Sequence, residues 1–154
     1  MKKMVSNSLE ETDQVAKDWL KEASERYRDA HEALVVGLSG NLGAGKTSFT
    51  KAVAKELGIK EDITSPTFVI MKMYDTDRSP WKKLIHIDAY RLERGEDLRV
   101  LGFEKLVADK TNLIIIEWPE NVTETLERVS VYRVITFTLP ENGSKDERVV
   151  EIME

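Results

Sequence analysis

The sequence predicts an α/β fold, a single domain in which helices flank a mixed parallel and antiparallel sheet. A β-type apolar run at residues 34–38 is followed by a glycine-rich turn and a helical pattern over residues 46–57. The segment at residues 112–117, which contains the apolar run Leu-Ile-Ile-Ile, is typical of a strand buried on both faces of a sheet. Alternating patterns at residues 131–139 and 148–152 predict an antiparallel pair near the C-terminus.

The composition fits one folded domain. The chain has 154 residues, enough for one hydrophobic core, and 41% of them are hydrophobic. Cysteine is absent, which excludes disulfides and thiol nucleophiles and predicts a cytoplasmic protein. The sequence shows neither a membrane-length apolar stretch nor the apolar region of a signal peptide. The net charge of −5 argues against direct nucleic-acid binding, because neutralisation of phosphates drives such binding.

The remaining elements follow from local patterns. A helix is predicted from residue 9 to about residue 28, beginning at a capping box of Ser8 and Glu11 and placing Trp19 in the core. Gly58 is a natural end for the helix over residues 46–57. The other predicted elements are a hairpin of strands at residues 67–74 and 83–88, and short helices near residues 96–101, near residues 104–110 and from Pro119.

The glycine-rich turn fits G-x-x-x-x-G-K-[ST], the phosphate-binding P-loop of nucleotide hydrolases, and the strand–loop–helix order fits it too. The glycines let several backbone N–H groups approach phosphate oxygens, and the helix after them directs its positive end at an anion. The lysine would reach the β- and γ-phosphates, and the threonine hydroxyl would bind Mg²⁺. The predicted nucleotide-binding residues are Gly40, Asn41, Leu42, Gly43, Ala44, Gly45, Lys46, Thr47 and Ser48.

Two carboxylates stand at the ends of apolar strands. Asp88 ends Leu-Ile-His-Ile-Asp, and Glu117 ends Leu-Ile-Ile-Ile-Glu. P-loop hydrolases use such a carboxylate to organise Mg²⁺, directly or through water. The candidate catalytic residues therefore include Lys46, Asp88 and Glu117, and the candidate metal ligands are Thr47, Asp88 and Glu117. We favour Glu117 near the metal and Asp88 as the group that orients water or supports the metal ligands, but the reverse assignment stays open.

Two further polar residues stand next to predicted strands or within them. Thr67 stands in Ser-Pro-Thr-Phe before a predicted strand, where related enzymes keep a loop that senses the γ-phosphate. It is a candidate catalytic residue, with a plain strand-entry threonine as the alternative. His86 alternates with its isoleucine neighbours, and the pattern favours a packed structural histidine over a catalytic one.

Four segments, taken together and in this order, resemble the TsaE family. They read GNLGAGKT at residues 40–47, TSPTF at 64–68, HIDAYRL at 86–92 and EWPE at 117–120. The first is shared by many families, whereas the other three in combination are far more specific. The resemblance covers residues 9–139, and members of the family are bacterial ATPases that assist the biosynthesis of threonylcarbamoyladenosine in tRNA.

The resemblance implies a function and a set of roles. The protein would bind ATP and Mg²⁺, hydrolyse ATP slowly alone, and dock on the TsaB–TsaD complex, where TsaD transfers the threonylcarbamoyl group to A37 of tRNA. Contact with tRNA would be indirect, through that complex. By the family pattern Thr47 and Glu117 face Mg²⁺, Asp88 is an active-site acid, Thr67 belongs to a switch-like loop, and Thr12 approaches the nucleotide.

Two alternative functions, each from another functional class, stay open. A small-molecule kinase of the P-loop type would need an acceptor pocket and an arginine-rich lid, for which residues 91–99 are the candidate. A nucleotide-gated binding module would bind ATP without turnover, although the two carboxylates argue against it. A small GTPase is disfavoured, because no guanine-reading N-K-x-D motif is present in the sequence.

Overall fold

The computed structural model describes the chain except for residues 42, 65–68, 79, 142, 144–146 and 154. The strands of this described part are β1 Lys2–Ser6, β2 Leu34–Ser39, β3 Met71–Asp75, β4 Lys83–Asp88, β5 Asn112–Glu117, β6 Tyr132–Thr138 and β7 Arg148–Ile152. The helices are α1 Leu9–Arg26, α2 Lys46–Glu56, α3 Gly95–Arg99, α4 Phe103–Ala108 and α5 Thr123–Leu126, with a 3-10 turn at Pro119–Val122. None of these helices has the length and apolar character needed to cross a membrane.

The strands form one 7-stranded sheet in the order β1-β7-β6-β2-β5-β4-β3. Its centre is parallel, because β2 pairs in parallel with β5 and β6, and β5 pairs in parallel with β4. The margins are antiparallel, where β3 pairs with β4, β7 with β6, and β1 with β7. The predicted mixed sheet is confirmed, and the carboxyl ends of β2, β5 and β4 meet at one edge.

Helices cover both faces of the sheet. On one face α1 and α2 pack together, and the rings of Trp19 and Phe49 lie 5.6 Å apart between centroids. On the other face the shorter helices contribute Leu98, Phe103 and Leu126 to a second core. Alternate residues of β5 enter the two cores, as expected for a strand buried on both faces. The sheet is therefore a middle layer between two cores, and it positions the loops at its edge.

The fold departs from the predicted elements near the N-terminus and before β3. Strand β1 was not predicted and is held by its pairing with β7. Strand β3 begins at Met71, because Ile70 has a φ of 67° and is not extended. Residues 67 and 68 of the predicted strand lie outside the described residues. The capping box is only half formed: Ser8 Oγ accepts from the Glu11 N–H at 3.1 Å, whereas the Glu11 carboxylate accepts from the N–H of Asn7.

Candidate functional site

A cavity of about 430 Å³ opens at the carboxyl ends of β2, β4 and β5. It combines parts of the chain that are distant in sequence: the start of α1, the glycine loop at residues 40–47, two strand ends and β7. The sequence-predicted site residues that line it are Thr12, Gly43, Gly45, Lys46, Thr47, Ser48, Asp88 and Glu117. Gly40, Asn41 and Ala44 belong to the loop but not to the cavity wall, and Leu42 and Thr67 lie outside the described residues.

Two glycines shape the loop for different physical reasons. Gly40 has a φ of 148°, and a Cβ there would lie 2.6 Å from the carbonyl oxygen of Phe137, so no larger residue fits. Gly45 has a φ of 111° and stands directly before α2. Among the described residues, no side chain caps α2 at Gly45. The first backbone N–H groups of α2 are therefore left for an anion at the cavity wall.

The Lys46 side chain is buried at the floor of the cavity and only 5% exposed. Its Nζ donates to the Gly40 carbonyl oxygen at 2.6 Å and lies 3.9 Å from the centroid of the Trp118 ring. Burial lowers the pKa of Lys46, an effect opposed by the carboxylates of Glu117, Glu120 and Asp88. An ammonium group desolvated in this way is stabilised by an anionic ligand, and the cavity gives such a ligand access to it.

Asp88 and Glu117 lie side by side at the cavity. They are register partners on β4 and β5 and are 6% and 4% exposed. Asp88 Oδ1 accepts from the backbone N–H of Tyr90 at 2.9 Å, which fixes the carboxylate at the strand end. Glu117 Oε2 lies 2.9 Å from Nε2 of His86, which is fully buried as the sequence pattern suggested. The structure thus brings together the two acids that the sequence indicated as candidate metal ligands.

Thr12 reaches the cavity from the first turn of α1. Its hydroxyl lies 2.7 Å from Ser6 Oγ and 3.2 Å from the Ser8 carbonyl oxygen, so the start of α1 is tied to the end of β1. This contact needs β1, an element that the sequence analysis did not predict.

Five cavity residues were not among the sequence-predicted site residues: Ser8, Leu9, Tyr90, Trp118 and Arg148. Trp118 has a φ of 60°, a left-handed conformation that is unusual for a residue with a large side chain, and its ring centroid lies 5.3 Å from that of Tyr90. Arg148, on β7, donates from Nη2 to the Gly43 carbonyl oxygen at 3.1 Å. Trp118 belongs to the EWPE segment, but the sequence predicted no contact for it. The position of Arg148 depends on the register of β7 against β6, which no local pattern reveals.

The donor groups fit a magnesium ion bound together with phosphates. Mg²⁺ in nucleotide sites uses one or two carboxylates or a hydroxyl, with phosphate oxygens and waters as the remaining ligands. Thr47, Asp88 and Glu117 supply such oxygens around the same cavity. Within the described ranges, no three His, Cys, Asp or Glu side chains are grouped as a metal site. The donor set therefore suits an ion shared with a ligand rather than one enclosed by the protein.

Fold and cavity together define a class: an α/β protein in which a glycine loop, an uncapped helix N-terminus, a buried lysine and two carboxylates share one cavity at the strand ends. The family follows from sequence comparison. The chain belongs to the TsaE family, since the family described as threonylcarbamoyl adenosine biosynthesis protein TsaE matches residues 6–150. The resemblance noted in the four sequence segments is therefore confirmed.

Individual relatives agree with this assignment. A tRNA threonylcarbamoyladenosine biosynthesis protein TsaE from Treponema pallidum is 42% identical over 115 residues, covering 75% of this chain and 80% of the relative. A protein of the same name from Bacillus subtilis is 39% identical over 115 residues, covering 68% of each chain. The crystal structure of Bacillus subtilis YdiB has a TM-score of 0.67 and 30% identity, covering 98% of this chain and 83% of that one.

Proposed function

We propose that this protein is a Mg²⁺-dependent ATPase that supports the TsaB–TsaD complex in threonylcarbamoylation of adenosine 37 in tRNA. The observation that carries the ATPase proposal is the convergence of the glycine loop, the buried Lys46 and two carboxylates on one cavity. The link to tRNA modification is supported by family membership. Contact with tRNA would pass through the complex, in keeping with the net charge of −5.

The cavity supports attack of water in line on the γ-phosphorus of ATP. A bond forms between the water oxygen and phosphorus, and the bond to the β–γ bridging oxygen breaks. ADP leaves with the electron pair, and the water proton passes to the phosphate product or to solvent. The backbone N–H groups at the start of α2 and the Lys46 ammonium stabilise negative charge on the transferred group. Mg²⁺, held by Thr47 and a carboxylate, supplies further neutralisation of the β- and γ-phosphates when bound.

Glu117 is the acid we assign next to the metal. Carboxylates that bind metals are commonly held by a hydrogen bond to their second oxygen, and the His86 ring provides such a contact to Oε2. Asp88 lies in register beside Glu117 and is held by the Tyr90 N–H, which suits a group that orients water or supports the metal ligands. A nucleotide-bound structure with the ion coordinated by Asp88 and not by Glu117 would reverse this assignment.

Slow turnover by the isolated chain is part of the proposal. Among the described residues that line the cavity, the cationic side chains are Lys46 and Arg148. Arg148 Nη2 donates to the loop carbonyl of Gly43, which supports a role in holding the loop. An additional group that stabilises charge on the γ-phosphate would then come from a partner protein, as arginine fingers supplied in trans do elsewhere.

The kinase alternative receives less support from the contacts. Its candidate lid ends at Arg99, which donates to Glu96 at 3.1 Å and to Glu104 at 2.9 Å on the protein surface. These pairs neutralise the Arg99 guanidinium in place, and Arg99 is not among the residues that line the cavity. Transfer of phosphate to a nucleotide or sugar from a substrate panel would restore the kinase interpretation.

The test is Mg²⁺-dependent ATP hydrolysis by the purified chain, alone and with TsaB–TsaD from the same source. We expect slow hydrolysis that the partners accelerate and that Lys46→Ala abolishes. Lys51→Ala is the matched control, because Lys51 is an exposed lysine on the same helix and should leave the rate unchanged. Hydrolysis that is indifferent to the partners, or tight ATP binding without hydrolysis, would contradict the proposal.

A further inference from the structure

The His86 ring lies behind Glu117, within the sheet. In the parallel register of β4 and β5, His86 is opposite Ile115 and Asp88 is opposite Glu117. Side chains two residues apart on a strand share a face, so His86 and Asp88 lie on the face of the sheet that also carries Glu117. His86 is 0% exposed and, within the described residues, contacts the cavity wall through the Glu117 carboxylate, at 2.9 Å.

The surroundings of the ring indicate which nitrogen carries the proton. Nδ1 of His86 is buried and has no hydrogen-bond partner within the described part of the chain. A proton on Nδ1 would bury an unpaired donor and set the Nε2 lone pair against a carboxylate oxygen. With the proton on Nε2 instead, the Nε2–H group donates to Glu117 Oε2, and Nδ1 is left as an unpaired acceptor. The hydrogen bonding therefore assigns the proton to Nε2.

We propose that His86 is a positioning residue for Glu117. The Nε2–H group donates to Oε2 and fixes the rotamer of the carboxylate, so that Oε1 is the oxygen presented to the ligand side. A buried apolar residue would fill the same space without this donor, so packing alone does not explain a histidine next to the acid. This inference rests on the proposed hydrolysis, in which the placement of Glu117 decides how the metal and the reacting phosphate are held.

The test uses two amide variants of the full-length chain that differ in where the donor lies. The amide nitrogen of His86→Gln can occupy the position of Nε2, whereas that of His86→Asn corresponds to Nδ1 and does not reach Glu117. We expect His86→Gln to retain most of the activity and His86→Asn to lower kcat about 10- to 100-fold, the range found for partners of metal ligands. The KM for ATP should be nearly unchanged in both, because phosphate contacts in the glycine loop are left intact.

A double variant distinguishes an effect of His86 on Glu117 from a loss of activity that does not involve Glu117. If His86 acts through Glu117, His86→Asn should lower kcat no further in a Glu117→Gln background. Ile85→Val is the control, because Ile85 is a buried neighbour on β4 with its side chain in the opposite core, and it should leave kcat unchanged. Equal losses from His86→Asn in both backgrounds, or equal activity of the Gln and Asn variants, would overturn the inference while the proposed ATPase stands.

A binding measurement tests the inference without turnover. Binding of a fluorescent ADP analogue is titrated with Mg²⁺, and the magnesium concentration at half effect is compared between variants. We expect both His86→Asn and Glu117→Gln to raise that concentration about 10-fold, and His86→Gln to leave it near wild type. If the wild-type chain binds nucleotide without hydrolysing it, the ATPase proposal fails, and this titration still decides whether His86 positions Glu117.

Discussion

At the scale of single residues, the contacts of Lys46 link the glycine loop to an aromatic side chain. The ammonium group rests between the Gly40 carbonyl and the face of Trp118, a cation–π arrangement worth about 0.5–2 kcal/mol. Trp118 adopts its left-handed conformation immediately after Glu117, so local strain and a candidate catalytic acid occupy the same turn. Backbone strain of this kind is characteristic of functional sites. A nucleotide that draws Lys46 to its phosphates would also release the Trp118 ring.

Replacing Gly40 with alanine should be much more damaging than the same change at Gly43. In Gly40→Ala the new Cβ meets the Phe137 carbonyl oxygen at 2.6 Å, in addition to an unfavourable φ of 148°. In Gly43→Ala the Cβ meets nothing within 4 Å, so only the cost of a φ of 79° remains, about 1–2 kcal/mol. Urea denaturation of both variants measures the difference. Equal losses of unfolding free energy would contradict the steric argument.

Sequence reasoning indicated those cavity residues whose positions follow from local spacing. The glycine loop, Lys46 and the acids at two strand ends could all be recognised, because each follows directly from a strand or begins a helix. The contact of His86 with Glu117 could not be recognised, since it depends on the register of two parallel strands joined by a long crossover. A buried histidine and a histidine that holds a carboxylate have the same sequence pattern.

At the scale of elements, the hairpin of β6 and β7 supports the glycine loop. Phe137 on β6 lies beneath Gly40, and its ring contacts Phe49 of α2 at 5.6 Å between centroids. Arg148 on β7 donates from Nη2 to the Gly43 carbonyl oxygen at 3.1 Å. The loop is thus held between α2 and the hairpin, which gives the C-terminal part of the chain a role that its alternating pattern alone did not indicate.

Loss of the Arg148 contact should weaken nucleotide binding. In Arg148→Ala the Gly43 carbonyl loses a charged donor, and because the bond is partly solvent-exposed we expect a loss of about 1 kcal/mol, or roughly fivefold in Kd for ATP. Arg133→Ala is the matched control, since Arg133 lies on the same hairpin but binds the Tyr27 hydroxyl at 2.8 Å. Isothermal titration of both variants decides the matter. If Arg133→Ala raises the Kd for ATP and Arg148→Ala does not, Arg148 does not support the glycine loop in the way proposed.

Most elements were predictable because their own residues determine them, and those that were missed depend on distant parts of the chain. The strands β4 and β5 were predicted at the bounds observed, since each is an apolar run bounded by polar residues, interrupted in β4 by His86. Strand β1 is short, largely exposed and at the sheet edge, so its conformation comes from hydrogen bonds with β7. Its absence from the prediction also hid the contact between Ser6 and Thr12.

At the scale of the whole molecule, the strand order explains why one cavity can collect these residues. Placing β2 between β5 and β6 sets the glycine loop beside the acids of β4 and β5 on one side and the C-terminal hairpin on the other. The sequence predicted parallel strands near the loop and antiparallel pairs beyond it. The full order of strands could not be predicted, because parallel pairing joins residues far apart in the chain and leaves no local pattern.

Because the cavity is built from both termini and the sheet centre, a bound nucleotide should stabilise the whole fold rather than one loop. A ligand at 100 times its Kd adds about 2.7 kcal/mol to the free energy of unfolding, which for a domain of this size raises the Tm by roughly 5–10 °C. We expect ADP with Mg²⁺ to produce this shift as a single transition seen equally by tryptophan fluorescence and by circular dichroism. Lys46→Ala should show no shift at the same concentration. A rise in Tm seen by only one of the two probes would mean that the nucleotide stabilises part of the molecule, and that the cavity does not couple its elements as the sheet order implies.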